Sequence, residues 1–157
     1  MKRRSPARPS RSSRSRAAVR PSGPQFSVRY SCPARLYDPK AFSHVVEVVG
    51  GRLVFISGQV PVDSQRQLSS KVFREQVRKV YDNLEIALKS VGAGFENVVK
   101  TTNYLTNIAQ AKDFREAREE LFAHLKTRPA STTVVITALV DPEYLVEIEM
   151  IAAVPAR

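Results

Sequence analysis

One carboxylate pair, a few hydroxyls and one arginine are the residues of this chain whose types and spacing could do acid–base or anchoring chemistry. Glu147 and Glu149 stand two apart in LVEIEMIA (145–152), and Ser57 lies in RLVFISG (52–58). The stretch KTRPASTTVVI (126–136) places Arg128, Ser131 and Thr133 around the start of a β-branched run. In an extended chain, alternation puts Glu147 and Glu149 on one face and Val146, Ile148 and Met150 on the other. A carboxylate placed near a water can serve proton transfers, and an arginine can hold a carboxylate by a two-pronged contact. Arg128 precedes Ser131 by an odd offset of three, which points it to the opposite face of a strand and displaces it by roughly 10 Å. Pro129 follows it directly, so Arg128 reads as a residue at the entry of the strand. Ser131 is a neutral hydroxyl rather than a nucleophile, because spacing assigns it no base.

Other reactive residue types carry less. His44 and His124 are far apart with no ligand-like spacing, and read as a strand residue and a helix-surface residue. The lone Cys32 can form neither an intrachain disulfide nor a metal cluster by itself, which makes a reducing compartment the default. Ser57, with Gly58 and Gln59, could equally close a strand, since serine and glycine favour turns.

The elements that must position these groups follow from the hydrophobic pattern. SHVVEVV (43–49) and RLVFISG (52–58) are β-branched runs joined at Gly50-Gly51, a hairpin signal. Phe73, Val77, Val80, Leu84, Leu88 and Val91 recur every three to four residues, one face of a helix from about Ser70 to Val91. The GAG at 92–94 closes it. NVVKTTNYLT (97–106) alternates as a strand, with Lys100 a possible partner for Glu149. Asp113 opens a second helix with Phe114, Ala117, Leu121 and Leu125 on one face. TTVVITA (132–138) and LVEIEMIA complete the sheet. The order ββαβαββ predicts an α+β fold, a two-layer sandwich with two helices on one face of a single sheet. The other face is half apolar, which suits subunits packed sheet to sheet.

The 157 residues allow one domain with a real core. The net charge of +10 is entirely local. Residues 1–37 hold ten Lys or Arg and no acid, while Asp38 to Arg157 carry fifteen bases and fifteen acids. The sequence thus divides into a basic Arg/Ser/Pro-rich tail (1–37), too poor in bulky apolar groups to order itself, and a folded domain (38–157). An organelle transit peptide, an arm for nucleic-acid phosphates and an extension without function all remain open for the tail. Location in the cytoplasm is expected, or in a mitochondrion or other organelle if the tail is a transit peptide. No apolar run approaches the roughly 20 residues of a membrane span.

FISGQVPVD (55–63), YDNLEIALKSVGAGFENVVKTTNYLT (81–106), RPAST (128–132) and LVEIEMIA (145–152) resemble, in order and spacing, the Rid family, the reactive intermediate deaminases also called RidA/YjgF proteins. The resemblance implies a small homotrimer of chorismate-mutase-like architecture with a cleft between each pair of neighbours. It also implies hydrolysis of enamines and imines such as 2-aminoacrylate, with no metal and no cofactor. Glu147 matches the family's water-activating glutamate and Ser57 a cleft serine. Phe42 falls where many members have a tyrosine, and Thr133 on the position whose backbone contacts substrate. Where active deaminases read Pro-Ala-Arg, this chain reads Pro129-Ala130-Ser131, so a serine stands in the place of the substrate-binding arginine and would line the cleft.

Three functions follow. The first is a deaminase-like hydrolase whose substrate anchoring is altered, with activity on 2-aminoacrylate in doubt. The second is a non-catalytic trimer that binds a small metabolite. The third is an endoribonuclease or RNA-binding protein, in which nucleic acid is reached only through the basic tail. Partners are therefore a small molecule and further copies of the chain, with no membrane.

Overall fold

A computed structural model describes residues 25–156. In chain order the strands are β1 (Ser27–Ser31), β2 (Val45–Val49) and β3 (Arg52–Gln59), followed by helix α1 (Phe73–Ser90). Then come β4 (Val98–Leu105), α2 (Ala111–Phe122), β5 (Ala130–Val135) and β6 (Val146–Val154). The main sheet has the order β3-β6-β4-β5. β6 runs antiparallel to both neighbours, and β4 and β5 are parallel. A parallel pair cannot be joined by a tight turn, and α2 makes the crossover between them.

Both helices cover the same face. The stripe expected from spacing is the one buried: Val77, Val80, Leu84 and Leu88 of α1 are fully enclosed. They pack with Phe114 and Phe122 of α2 and with Val146, Ile148 and Met150 of β6. Each such side chain contributes about 1.5–3 kcal/mol on leaving water. Gln76 is buried among them, 0% exposed. Its amide donates to the carbonyls of Ser70 (2.9 Å) and Glu143 (2.8 Å) and accepts from the Leu145 N–H (2.8 Å). That tether fixes where β6 begins. Gly92, at φ +72°, ends α1 as the GAG predicts, with the Ala93 N–H returning to the Leu88 carbonyl at 3.0 Å.

The structure departs from the sequence reading in several places. The folded part does not start at Asp38, because Ser27–Ser31 is a strand paired antiparallel with β2. Its alternation, Val28 and Tyr30 turned inward and Arg29 outward to Glu47 at 2.5 Å, was hidden in an Arg- and Ser-rich composition. Residues 1–24, most of the basic tail, lie outside the described residues.

The Gly50-Gly51 hairpin does not form either. The turn is there, with φ of 67° and 72°, but β2 pairs with β1 and β3 with β6, in two different sheets. A Cβ at Gly51 would collide with the Phe26 ring and the Val154 carbonyl. Those two groups fill the space at the turn, which is a corner between sheets. Asp113 lies in the first turn of α2, two residues past its start at Ala111, and does not cap it. The approach to α2 is set by Asn107, whose Oδ1 accepts the Ala109 N–H at 2.9 Å, opening a short 3-10 turn (Ile108–Gln110).

Candidate functional site

The uncovered face of the main sheet carries Glu147. Pairing places it opposite Tyr104, and Thr102 opposite Glu149. Glu147 is half-buried, and burial followed by repulsion from Glu149 pushes its carboxyl above the ordinary glutamate range. Room for it comes from β3. One extra residue between Ile56 and Gln59 makes a bulge in the β3–β6 ladder. A Cβ at Gly58 in that bulge would overlap the Glu147 carboxylate. Ser57, also in the bulge, is exposed and shares the open face with Glu147, without a hydrogen bond joining the two. Tyr104, Leu139 and Val140 join both glutamates around a depression of about 450 Å³.

Lys100 does not pair with Glu149 as the alternation suggested. The ladder sets Lys100 against Ile151, and its ammonium turns to β5, donating to Thr132 Oγ1 at 2.7 Å and to the Thr101 carbonyl at 2.8 Å. Burial pulls its pKa down.

The opposite face, at the free edge of β5, holds a second group. Ser131 pairs with Thr101 and Thr133 with Asn103, and both side chains point to the helix side. Ser131 Oγ is the hub of a network. It accepts from Arg118 Nη1 at 2.7 Å, from Thr101 Oγ1 at 3.0 Å and from Asn103 Nδ2 at 3.1 Å. Asn103 also donates to the Thr132 carbonyl (2.9 Å) and Thr133 Oγ1 (3.1 Å). Ser131 is therefore spoken for by α2 and β4, a hydroxyl that locates an arginine.

The segment before β2 closes this edge. Ser43 forms a bridge with Ala130 and donates to the Arg128 carbonyl at 2.7 Å. Phe42 beside it sits in an edge-to-face cluster with Tyr37 and His44, ring centroids 6.2 and 5.5 Å away. His44 is held there by a 2.8 Å contact between Nε2 and the Tyr37 carbonyl. His124 is exposed just past α2. Arg128 donates to the carbonyls of Leu125 and Thr127, closing the chain beyond α2 just ahead of the strand. That is a local structural task.

The five residues marked from sequence thus fall into two sets. Phe42, Ser131 and Thr133 gather at the β5 edge, while Glu147 and Ser57 lie on the open face. No single chain brings the sets together, because the sheet stands between them.

Sequence reasoning passed over Arg118 and Gln76, and read Gly58 only as a turn former. The signal for Arg118 was available: it lies four residues after Phe114, on the very stripe of α2 that faces inward. A charged residue at an apolar position is the informative kind of exception.

Residues 33–154 match the family model described as Endoribonuclease L-PSP. Among curated relatives, a RutC family protein of Aquifex aeolicus is 36% identical over 112 residues, covering 71% of this chain and 86% of the relative. The Escherichia coli RutC family protein YjgH is 30% identical over 143 residues, 90% of this chain and 98% of its own. Among solved structures, the Rid family protein YyfB of Yersinia pestis superposes with a TM-score of 0.75 at 29% identity, over 81% of this chain and 98% of that one.

Proposed function

The chain belongs to the L-PSP family that includes the Rid and RutC proteins, and from that premise we propose that it hydrolyses reactive enamines and imines in clefts between the subunits of a homotrimer. The observation that carries this reading is Glu147. It is half-buried, its carboxyl is held above the ordinary range, and a bulge with a glycine clears space over it. A carboxyl poised nearer to neutrality exchanges protons more effectively than a solvated one.

The chemistry asks little more. The enamine carbon takes a proton from Glu147 to give the iminium ion. The carboxylate then removes a proton from a water as its oxygen adds to the iminium carbon. Return of that proton to nitrogen makes it a leaving group; the C–N bond breaks as Glu147 takes the hydroxyl proton, releasing ammonia, leaving a carbonyl and restoring the protonated carboxyl. The net change is enamine plus water to ketone or aldehyde plus ammonia.

The placement of the two residue sets supports this reading, because on opposite faces in one chain they meet only if a neighbour's edge approaches the open face. That face exposes Leu53 (52%) and Phe55 (73%), apolar surface suited to a subunit contact. Ser131 in place of arginine alters the anchor for the substrate's other end, and Ser57, Thr133 and Phe42 complete the wall.

The test is ammonia release from 2-aminoacrylate and from an imine lacking a carboxylate, with wild type, Glu147→Gln and Ser131→Arg. Release by wild type on either compound, abolished by Glu147→Gln, is expected. A Glu147→Gln variant as active as wild type would overturn the reading, and no release from either compound by any variant would make the cleft a binding site only.

The family model's own description favours a second reading, cleavage or binding of RNA. The basic residues 1–24 would add phosphate affinity. Deleting 1–24, which spares β1, then lowers RNA affinity and flattens its salt dependence, and unchanged binding excludes the tail's part.

A further inference from the structure

Arg118 is an unusual residue to find where it is. It is 7% exposed, and among the described residues no carboxylate pairs with it. Burial is the leading cause of its lowered pKa; Tyr81 and then Glu119 offset it in part, and the charges of Arg115 and Arg128 add to it. One N–H reaches Ser131 Oγ at 2.7 Å, another only grazes the Ala41 carbonyl at 3.4 Å, and Nε is buried with no partner. A buried cation without a counter-ion is destabilising in a fold. Such a group persists where something of opposite charge completes it.

The space for that something is present. Arg118, Arg115 and Thr133 line a cavity of about 280 Å³ whose remaining wall includes Leu105, Phe114 and Val135. The guanidinium stands 5.9 Å from the Phe114 ring centroid. A pocket lined by guanidinium and hydroxyl groups together with apolar side chains fits a small organic anion. Its volume is that of about nine waters, too small for a nucleotide.

We propose that this cavity between α2 and β5 is the anion-anchoring pocket of the protein, with Arg118 holding the carboxylate of a small substrate and Ser131 positioning the guanidinium. The role rests on the hydrolase reading above, and it names the substrate class: a short apolar molecule bearing one carboxylate. Carboxylate-bearing enamines then return to the range of substrates.

The test uses propionate and its neutral isostere propionamide on the intact protein. Calorimetric titration of wild type is expected to show propionate bound at least about tenfold more tightly, as befits a hydrogen-bonded charge. In wild-type NMR spectra the Arg118 Nε–H signal shifts with propionate and stays still with propionamide, a readout that needs no variant. Arg118→Gln removes the preference, while Arg118→Lys keeps a weakened one. Equal affinity for the two compounds, no binding of either, or a preference that survives Arg118→Gln overturns the proposal. Loss of ammonia release in Glu147→Gln with an unchanged KM for 2-aminoacrylate in Arg118→Gln sinks this inference and leaves the hydrolase. A preference for propionate in a protein that releases no ammonia keeps the pocket and sinks the hydrolase.

Discussion

Glu147 is under two opposed demands, and its acid–base behaviour records the conflict. Burial raises its pKa above the ordinary 4.5, with Glu149 adding repulsion. The folded protein therefore holds that proton more tightly than the unfolded chain does. Relative to a neutral side chain, the fold carries a cost for ionisation that is absent below the unfolded pKa and complete once pH has passed the raised one. Glu147→Gln is neutral throughout. We predict that this variant melts at or above the wild-type temperature near neutral pH, with the gain shrinking on acidification and gone below about pH 4. Scanning calorimetry across that range checks it, and a variant less stable at pH 7 than at pH 4 relative to wild type contradicts the assignment. The same shift keeps Glu147 in the protonated form that starts the reaction, so ammonia release by wild type falls as pH rises through that raised pKa.

At the scale of elements, what positions Glu147 is the β3 bulge, and the bulge was the least legible feature of the sequence. The helix stripe of α1 could be read directly, because a 3.6-residue period over eighteen positions leaves little room for another answer. The strands β4 and β6 could be read from alternation. The partner of β2 could not, since register and sheet assignment depend on contacts remote in sequence, and an apt turn such as Gly50-Gly51 satisfies either topology. Ser57-Gly58-Gln59 does close β3, as its residue types suggest, but what spacing could not show is that the strand ends in a bulge against β6. This gives a specific expectation. In Gly58→Ala the new methyl would meet the movable end of the Glu147 side chain rather than backbone. The fold should lose less than about 1 kcal/mol, while kcat falls tenfold or more as the carboxyl is displaced. Urea unfolding beside steady-state kinetics separates the two, and equal retention of kcat would show that the bulge does not place the catalytic group.

The whole molecule raises the question of why one chain cannot suffice. Ser131 shares a face with Thr101 and Asn103, and Glu147 shares the other with Tyr104 and Glu149. A substrate anchored by Arg118 and protonated by Glu147 of the same chain would have to pass through the sheet. In the proposed ring of copies each cleft would instead take its anchor from one subunit and its carboxyl from the next. Mixing then becomes diagnostic. Arg118→Gln protein, impaired on 2-aminoacrylate below its KM, and Glu147→Gln protein, inactive, are unfolded together, refolded and assayed with 2-aminoacrylate below KM. Random assembly gives about one cleft in four with both groups intact, so roughly that fraction of wild-type activity returns. A site contained in one chain predicts none, because every subunit carries a defect. Recovered ammonia release would place the chemistry between copies and the anchor on α2 at once. Its absence, from mixtures shown by light scattering to have exchanged subunits, would confine the site to a single face and require a different cation or a different carboxylate.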